Sequence, residues 1–476
     1  MTEMVGRKRE QNILENCLQS GRGEFLVVYG RRRIGKTYLI REYFNNNFSF
    51  YATGVANEKT RAQLKAFNGS LQEYGADEKN IPDDWYEAFA RLKKLLCKET
   101  TWRDPVSGKR VLFLDEVPWM DTARSDFKSA LEYFWNSWAS AQKDLLLIVC
   151  GSATSWIIEN LLGDRGGFYN RITRQIHLMP FTLGECEELF AMNDNRLSRQ
   201  QIIEYYMVFG GVPYYLNCID KRLSLAQNID ELLFRPTGQL YYEYDRLMGS
   251  LFKNYEKHTA VINAISEKKS EIKRTELSCR KEIGDGNPLT KVLRELEQCG
   301  FIRKYKNYAK SKNDAYYQVI DPFLLFCYRF VKKREHESWM SFINTPGYYA
   351  WEGNAFELVC LLHTAKIKQV LGIAGVEAAE YAWASAHSTP GAQIDLLIDR
   401  EDGIINICEA KFTTDPFEIS DAYAQVLRNK MATFSEEIGC RKALHLTIIA
   451  SNGIKRNKHS DVVQNVITGE ELFTGI

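Results

Sequence analysis

Apolar residues in the first part of this chain fall into short, nearly uninterrupted runs. The runs lie at residues 25–29, 48–52, 111–114 and 145–150. Continuous apolar runs of this length are typical of parallel strands that are covered on both faces. Residues 57–75 and 84–98, which lie between them, have the periodicity of helices. The pattern therefore predicts an α/β fold with a parallel sheet.

A different pattern follows this first part. Residues 182–230 are predicted to be helical, with breaks at the Gly-Gly and Pro of residues 210–213. Further helical patterns and then strand-like runs follow at residues 259–266, 274–279, 290–298, 299–305 and 316–320. Three helices, a glycine, a strand, a basic turn and a second strand resemble a winged helix. The turn carries the basic residues Lys304, Lys306, Lys310 and Lys312. Such a local patch can contact phosphates, but winged helices also bind proteins, and the sequence leaves both open.

The last part of the chain combines a helix with two consecutive strands. The helix begins near Trp351 and continues through Leu361. Residues 393–398 and 404–412 have the apolar pattern of strands and are joined by a polar turn. This arrangement predicts a second α/β domain.

Composition and charge narrow the class of protein without naming a function. The 476 residues suffice for two to four domains, and a net charge of +1 gives no global attraction to nucleic acid. The eleven cysteines form no Cys-x-x-Cys pair, which indicates reduced thiols, and the histidines are too scattered to suggest a metal site. No uncharged apolar run can span a bilayer, and the N-terminal residues are polar. We therefore expect a cytoplasmic protein with no membrane partner.

A phosphate-binding motif follows the first apolar run. Residues 30–37 match G-x-x-x-x-G-K-[ST], between a predicted strand and a predicted helix. Glycines let backbone N–H groups approach phosphate oxygens, and the helix N-terminus adds partial positive charge. Lys36 is predicted to reach the β- and γ-phosphates of ATP, and the Thr37 hydroxyl to ligate Mg²⁺. The candidate nucleotide contacts are Gly30, Arg31, Arg32, Arg33, Ile34, Gly35, Lys36, Thr37 and Tyr38.

A second motif places two carboxylates after the buried strand at residues 111–114. Asp115 and Glu116 follow it directly, at the sheet edge where open α/β sheets bind ligands. The segment looks like a Walker B motif, in which Asp115 holds Mg²⁺ and Glu116 orients and polarises the attacking water. Two solvated acids at the end of a strand are the alternative, and the upstream P-loop favours the functional interpretation.

Three further features complete the predicted ATPase site. The strand at residues 145–150 leads to Ser152. This segment resembles that of P-loop ATPases of the AAA+ and STAND type, in which a polar residue at this strand end senses the γ-phosphate, and the resemblance implies that role for Ser152, with Thr154 as the second choice. A helix N-cap at Ser152 is the alternative. The Gly-rich loop before the last strand carries Arg171 and Arg165, candidates in that order for an arginine finger acting in cis or in trans. A basic surface loop is the alternative.

The first half of the chain resembles the archaeal-type ATPase family, in the STAND/AAA+ branch of P-loop NTPases. The resemblance covers residues 4–235 and includes GRRRIGKT, VLFLDE, CGSATSW, RITRQIHLMPF and GGVPYYL, preceded by the Gly-Arg turn at residues 6–7. It implies a helical lid over the nucleotide that contains Pro213. The implied domains are an ATPase core at 1–180, a lid at 181–248, a winged helix at 249–320 and a last domain at 321–476.

The last domain resembles the PD-(D/E)xK nucleases. Asp395 lies on the first strand, and Glu409 and Lys411 lie on the second, where residues two apart share a face. Two carboxylates can hold Mg²⁺ or Mn²⁺, Lys411 can polarise the attacking water, and Glu357 on the preceding helix would complete the acidic cluster. The family's first acid usually follows proline, whereas Asp395 follows Gln393-Ile394. An inert nuclease-like fold that binds a partner is therefore the alternative.

Together these motifs predict an ATP-dependent, Mg²⁺-dependent switch that controls a nuclease-like module acting on DNA. The alternative is a signalling or scaffold ATPase whose last domain is inert and binds a protein partner. An arginine finger acting in trans would imply a homo-oligomer. The sequence does not distinguish a role in mobile elements from one in phage defence.

Overall fold

The computed structural model describes most of the chain in two compact units. The described residues are 4–163, 168, 170–252, 254–268, 272–308, 315–332, 338–385 and 392–473. The units are Met1–Pro180 and Phe181–Ile476. Arg165, Lys310 and Lys312, which the sequence made candidates for phosphate contacts, lie outside the described residues. No helix within the described ranges is long and apolar enough to cross a membrane.

The first unit is built on a five-stranded sheet in which every pairing is parallel. Its strands are β1 (Glu24–Tyr29), β2 (Phe50–Thr53), β3 (Arg110–Asp115), β4 (Leu145–Gly151) and β5 (Arg174–His177), in the order β2-β3-β4-β1-β5. Tyr29 pairs with Gly151, and Thr53 with Asp115. The phosphate-binding loop and the two acids therefore lie at the same edge of the sheet, as the apolar pattern predicted.

Helices cover both faces of this sheet. They are α1 (Lys8–Gln19), α2 (Lys36–Tyr43), α3 (Thr60–Glu73), α4 (Trp85–Leu96), α5 (Val117–Met120), α6 (Phe127–Ser137) and α7 (Thr154–Ile157). Phe25 and Val27 of β1 pack with α3, α4 and α6, whereas Leu26 and Val28 pack with α1 and α2. Because both faces are buried, the strand has no polar alternation, and this explains its uninterrupted apolar run.

The second unit begins with helices. They are α8 (Leu183–Met192), α9 (Arg199–Phe209), α10 (Pro213–Leu216), α11 (Leu225–Ile229) and α12 (Glu243–Leu251). Pro213 is the first residue of α10, where a missing backbone N–H has no cost. Capping boxes at Thr182 and Ser198 start α8 and α9.

Three helices and a small sheet come next. They are α13 (Tyr255–Ser266), β6 (Ile272–Lys273), α14 (Arg274–Ser278), α15 (Asn287–Gln298), β7 (Ile302–Lys306) and β8 (Ala315–Val319). The sheet has the order β6-β8-β7 and is antiparallel. On β7, Lys304 and Lys306 are exposed, whereas Arg303 and Tyr305 are half-buried.

A mixed sheet and flanking helices form the rest of the second unit. Its elements are α16 (Pro322–Phe326), α17 (Pro346–Leu362), α18 (Thr364–Val370), β9 (Ala378–Ala384), β10 (Gln393–Arg400), β11 (Ile404–Lys411), β12 (Phe417–Glu418), α19 (Asp421–Ile438), β13 (Ala443–Ala450), β14 (Ile454–Lys455) and β15 (Asn465–Thr468). The larger sheet has the order β15-β13-β11-β10-β9. Asn307, just after β7, forms a bridge with Ala382 of β9, so the small sheet meets the edge of the larger one.

Candidate functional site

The phosphate-binding loop joins β1 to α2 through unusual backbone conformations. Gly30 has φ 142°, and a Cβ there would collide with the carbonyl oxygen of Leu178. Gly35 has φ 88° and is the N-cap of α2. Side chains rarely tolerate these angles, so both positions need glycine. The loop therefore presents backbone N–H groups at a helix N-terminus, the geometry that favours bound phosphate.

Lys36 and Thr37, the first residues of α2, contact other groups of the protein at the end of the sheet. The Lys36 ammonium is buried and donates to the carbonyl oxygens of Gly30 at 2.9 Å and Arg31 at 2.7 Å. The Thr37 hydroxyl donates to Oδ2 of Asp115 at 2.8 Å. A hydroxyl and a carboxylate at this distance are the hard oxygen ligands that suit Mg²⁺. The remaining loop side chains differ: Arg31 and Ile34 are buried, Arg33 is half-buried, and Arg32 and Tyr38 are exposed.

Asp115 lies in a confined, acidic environment. Burial and the neighbouring charge of Glu116 raise the pKa of Asp115, and the hydrogen bond from Thr37 opposes this rise. The thiol of Cys150 on β4 also hydrogen-bonds this carboxylate. A bound cation would relieve the unfavourable charge, which is a physical reason to expect one here.

Glu116 is held by the adjacent strand end. It has a left-handed φ of 47° and precedes α5. The hydroxyl of Ser152 donates to Oε1 of Glu116 at 2.6 Å, and the backbone N–H of Ser152 donates to Oε2 at 3.1 Å. The structure thus brings together the predicted water-polarising acid and the predicted sensor. Thr154, the second choice for the sensor, is buried at the start of α7.

Arg7 lies in the Gly-Arg turn noted in the sequence but was not among the candidate site residues. Its guanidinium is buried and donates to the carbonyl oxygens of Met179 at 2.7 Å and Ile34 at 3.2 Å. The Gly-Arg turn was a sequence signal, but the contact with the phosphate-binding loop was not readable from it. Arg7 therefore ties the N-terminal turn to the loop.

The structure does not test the roles predicted for the arginine finger, Arg171, and for the lid residue, Pro213. Arg171 is exposed, and its backbone N–H donates to the carbonyl oxygen of Phe168 at 2.9 Å. Pro213 belongs to the second unit. Their roles stay predictions.

The second unit contains the predicted acidic cluster. Glu357 lies on α17, Asp395 on β10, and Glu409 and Lys411 on β11. β10 and β11 are antiparallel with Leu396 opposite Cys408, so Asp395 and Glu409 come at the next position of the pairing. Glu357 and Asp395 line the same cleft, and Asp395 and Glu409 both help to raise the pKa of Glu357.

Glu409 is surrounded by hydrogen-bond donors. Lys430 contacts its Oε2 at 2.6 Å, Lys411 contacts its Oε1 at 3.0 Å, and the Tyr423 hydroxyl donates to Oε1 at 2.5 Å. Sequence reasoning missed Lys430 and Tyr423. Their signal is a spacing of seven residues on α19, which places both on one helix face.

The acids of the cluster differ sharply in pKa. Burial, reinforced by Asp395 and Glu409, raises the pKa of Glu357 to about 8. Desolvation also raises the pKa of Asp395, although the hydrogen bond from Gln393 opposes it. Burial would raise the pKa of Glu409 as well, but Lys430 and Lys411 outweigh it and lower the value to about 2.

The donor set fits a divalent cation only in part. Among the residues that the structure describes, no three His, Cys, Asp or Glu side chains are grouped closely enough to hold a metal. Lys411 and Lys430 already neutralise Glu409. The predicted Mg²⁺ or Mn²⁺ ligands Glu357, Asp395 and Glu409 therefore stay a prediction.

The sequence is similar to one family model and to two proteins of an archaeon. Residues 4–219 match the family model described as an ATPase domain predominantly from Archaea. An uncharacterized protein of Methanocaldococcus jannaschii is 25% identical over 327 residues, which cover 69% of this chain and 68% of that protein. An uncharacterized ATP-binding protein of the same organism is 40% identical over 42 residues, or 9% of this chain and 71% of that protein.

Solved structures were also compared. The Walker-type ATPase of Pyrococcus abyssi aligns with a TM-score of 0.49 and 16% identity, covering 69% of this chain and 96% of that one. The Aeropyrum pernix ORC2 protein, solved in ADPNP and ADP complexes, aligns with a TM-score of 0.42 and 15% identity, covering 70% and 96%.

Proposed function

We propose that this protein is an ATP-driven switch, because residues 4–219 match the family model described as an ATPase domain predominantly from Archaea. The domain binds ATP with Mg²⁺ and hydrolyses it, and its nucleotide state controls the second unit. The hydrogen bond between Thr37 and Asp115, at 2.8 Å, carries this proposal because it joins the phosphate-binding loop to the acidic strand end.

Each residue of the site has a defined task in this mechanism. Lys36 exchanges the carbonyl oxygens of Gly30 and Arg31 for phosphate oxygens when nucleotide binds. Thr37 and Asp115 would hold Mg²⁺, which neutralises charge on the phosphates when bound. Glu116 orients the attacking water and accepts its proton.

The proposal also assigns an arginine finger and a lid. Arg171 is the candidate arginine finger that stabilises charge in the transition state, in cis or from a second copy of the chain. Residues 181–248, with Pro213 at the start of α10, are the candidate lid.

Replacement of Lys36 by alanine tests the ATPase assignment. We expect ATP turnover to be abolished, because the phosphates lose their main positive partner. Lys65→Ala on the exposed face of α3 is the matched control and should retain turnover. Turnover of Lys36→Ala at the rate of the unmodified protein would overturn the assignment.

We propose further that residues 321–476 are a nuclease-like module and that residues 249–320 are a winged helix that contacts DNA. Asp395, Glu409 and Lys411 would cleave a phosphodiester with Mg²⁺ or Mn²⁺, and Glu357 would complete the acidic site. Exposed Lys304 and Lys306 on β7 supply positive charge for DNA phosphates.

DNA cleavage assays test this part of the proposal. Cleavage is measured with Mg²⁺ or Mn²⁺, with and without ATP, for the unmodified protein, Asp395→Ala and Lys36→Ala. An ATP-regulated nuclease loses cleavage in Asp395→Ala and changes it in Lys36→Ala. ATP hydrolysis without cleavage in any condition would overturn the nuclease assignment.

A second candidate function is a cytoplasmic signalling or scaffold ATPase whose nuclease-like module is inert and binds a protein partner. The contacts of Lys430, Lys411 and Tyr423 with Glu409 favour it, because they satisfy this carboxylate without a cation. This candidate predicts no retention of DNA at low salt, with or without ATP.

A further inference from the structure

A cleft of about 360 Å³ lies inside the second unit and reaches the acidic cluster. Its lining includes residues of β7 and β8 from the small sheet, residues of α17, β9 and β10, and residues of the segments 265–268 and 322–329. Its size is at the lower end of the range for pockets that hold small organic molecules. Because Glu357 and Asp395 are both in its wall, whatever enters the cleft meets the proposed nuclease site.

The cleft has the chemistry of a nucleobase site. Aromatic rings of Tyr305, Trp351 and Trp383 line it. The two tryptophans are buried against other rings, whereas Tyr305 is half-buried and leaves a ring on which the flat face of a base can stack. The amides of Gln318 and Asn354 line it as well and can pair with the polar edge of a base. Stacking rings beside amide groups are the features with which proteins hold an unpaired base.

Arg303 supplies positive charge at this site from the small sheet. Its guanidinium carbon lies 4.4 Å from the centroid of the Tyr305 ring, and its Nε donates to Oε1 of Gln318 at 2.8 Å. Arg303 and Asp395 both line the cleft, and the charge of Arg303 opposes the rise in the pKa of Asp395. Arg303 therefore supplies a guanidinium beside the Tyr305 ring in the same cleft as the acids, and this group can pair with the phosphate of a bound nucleotide.

Alternation along β7 separates two kinds of basic residue. Arg303 and Tyr305 line the cleft, whereas Lys304 and Lys306 are exposed on the opposite face. The cleft-facing arginine is thus distinct from the basic patch that the sequence indicated.

We propose that this cleft binds one nucleotide of a single-stranded nucleic acid, with the base against Tyr305 and the phosphate at Arg303. A base in a duplex is stacked on both faces and paired along one edge, so only an unpaired or extruded base can enter the cleft. The inference rests on the proposed nuclease-like function and assigns it a substrate class, namely unpaired strands and strand ends.

Binding to the full chain in EDTA tests the inference without any need for cleavage. The probes are a fluorescent oligothymidylate, the same strand in a duplex, and thymidine monophosphate as competitor. We expect the single strand to bind more tightly than the duplex. Arg303→Ala and Tyr305→Ala should each weaken binding by about tenfold, the scale of one base–aromatic stacking contact.

Two control variants distinguish loss of a cleft contact from misfolding and from a general loss of positive charge. Tyr305→Phe keeps the stacking ring and should retain binding even if Tyr305→Ala fails to fold. Lys455→Ala removes an exposed positive charge on β14, outside the cleft, and should bind like the unmodified protein. Equal binding of duplex and single strand would overturn the inference. Full binding by both Arg303→Ala and Tyr305→Ala would also overturn it.

The outcomes separate this inference from the nuclease proposal. Single-strand binding without cleavage in Mn²⁺ supports the cleft and overturns the nuclease. Cleavage inside a duplex as fast as in a single strand supports the nuclease and overturns the cleft assignment. Displacement of the bound oligonucleotide by thymidine monophosphate supports the nucleotide pocket, whereas a failure of the oligonucleotide to bind overturns the claim for a single strand.

Discussion

Ser152 contacts both carboxylate oxygens of Glu116, through its hydroxyl at 2.6 Å and its backbone N–H at 3.1 Å. The two residues follow adjacent strands, β4 and β3, and Glu116 keeps a left-handed φ of 47°. The acid is thus fixed in direction by its neighbour. Any signal that moves Ser152 would also move the group that is proposed to polarise water.

This contact predicts that Ser152 acts on turnover by positioning Glu116. Ser152→Ala removes the hydroxyl but keeps the backbone N–H, so we expect kcat to fall by about tenfold with little change in KM. Glu116→Gln removes the base itself and should cost about 10²–10⁴-fold in kcat. Steady-state ATP hydrolysis measures both.

A conservative variant distinguishes positioning from general damage. Ser152→Thr retains a hydroxyl and should recover most of the lost kcat, and Ser140→Ala at an exposed position should behave like the unmodified protein. An unchanged kcat in Ser152→Ala would show that the backbone contact alone orients Glu116.

Arg7 is predicted to stabilise the phosphate-binding loop. Arg7→Ala would leave the carbonyl oxygens of Met179 and Ile34 without this donor, at a cost of about 1–3 kcal/mol in the free energy of unfolding. ATP affinity should fall as well, because Ile34 belongs to the loop. Urea unfolding of the full chain and nucleotide titration measure the two effects.

Arg9→Ala is the matched control, since Arg9 is exposed two residues further along the same segment. The assignment fails if Arg7→Ala and Arg9→Ala have the same stability and the same ATP affinity.

The phosphate-binding loop and the acids at one edge of the first sheet could be predicted from the sequence, because each has a short local motif. A buried parallel strand, a phosphate-binding loop and a strand-end acid each have a short signature, and parallel strands end at one edge. The pairing of Thr37 with Asp115 follows from these facts. Helix bounds were less accessible: the helix expected from residue 57 begins at Thr60, after Asn57 adopts a left-handed φ of 60°.

The second unit was less predictable because its site depends on how helices pack against strands. Lys430 and Tyr423 reach Glu409 only because α19 lies against β11. In the same way, the lysine pattern on β7 indicated a basic turn but did not reveal that Arg303 faces a cleft. Long-range packing of this kind leaves no short motif in the sequence.

Lys430 is predicted to stabilise the second unit through Glu409. Lys430→Met removes a partner of a carboxylate that is largely buried, and we expect a loss of about 1–3 kcal/mol in the free energy of unfolding near neutral pH. The pKa of Glu409 is lowered from 4.5 to about 2 in the folded chain. The stabilisation is therefore present above pH 4.5 and is lost as the pH falls towards 2.

Chemical unfolding at several pH values checks this dependence. The difference between Lys430→Met and the unmodified protein should shrink as the pH falls below 4.5. Lys458→Met, at an exposed ion pair with Asp421, should have little effect at any pH. A constant difference across the range would mean that Lys430 acts by packing alone.

Glu204 is predicted to make the second unit less stable at higher pH. Burial, with a contribution from Glu352, raises the pKa of Glu204 from 4.5 to about 7, and Tyr348 hydrogen-bonds Glu352. The folded chain thus keeps a proton that the unfolded chain releases between these values, so stability falls as the pH rises through this window. Glu204→Gln removes the charge. It should raise the free energy of unfolding by about 1–3 kcal/mol above pH 7 and change it little near pH 4.5.

Thermal unfolding near pH 4.5 and above pH 7 distinguishes an effect of the charge of Glu204 from an effect of side-chain packing. Glu418→Gln, at an exposed position of β12, is the matched control and should leave Tm unchanged at both ends. A gain in Tm for Glu204→Gln that is equal at low and high pH would show that the amide packs better, independently of charge. A gain confined to the higher pH follows only if the buried carboxyl must lose its proton there, because the amide cannot ionise at either pH.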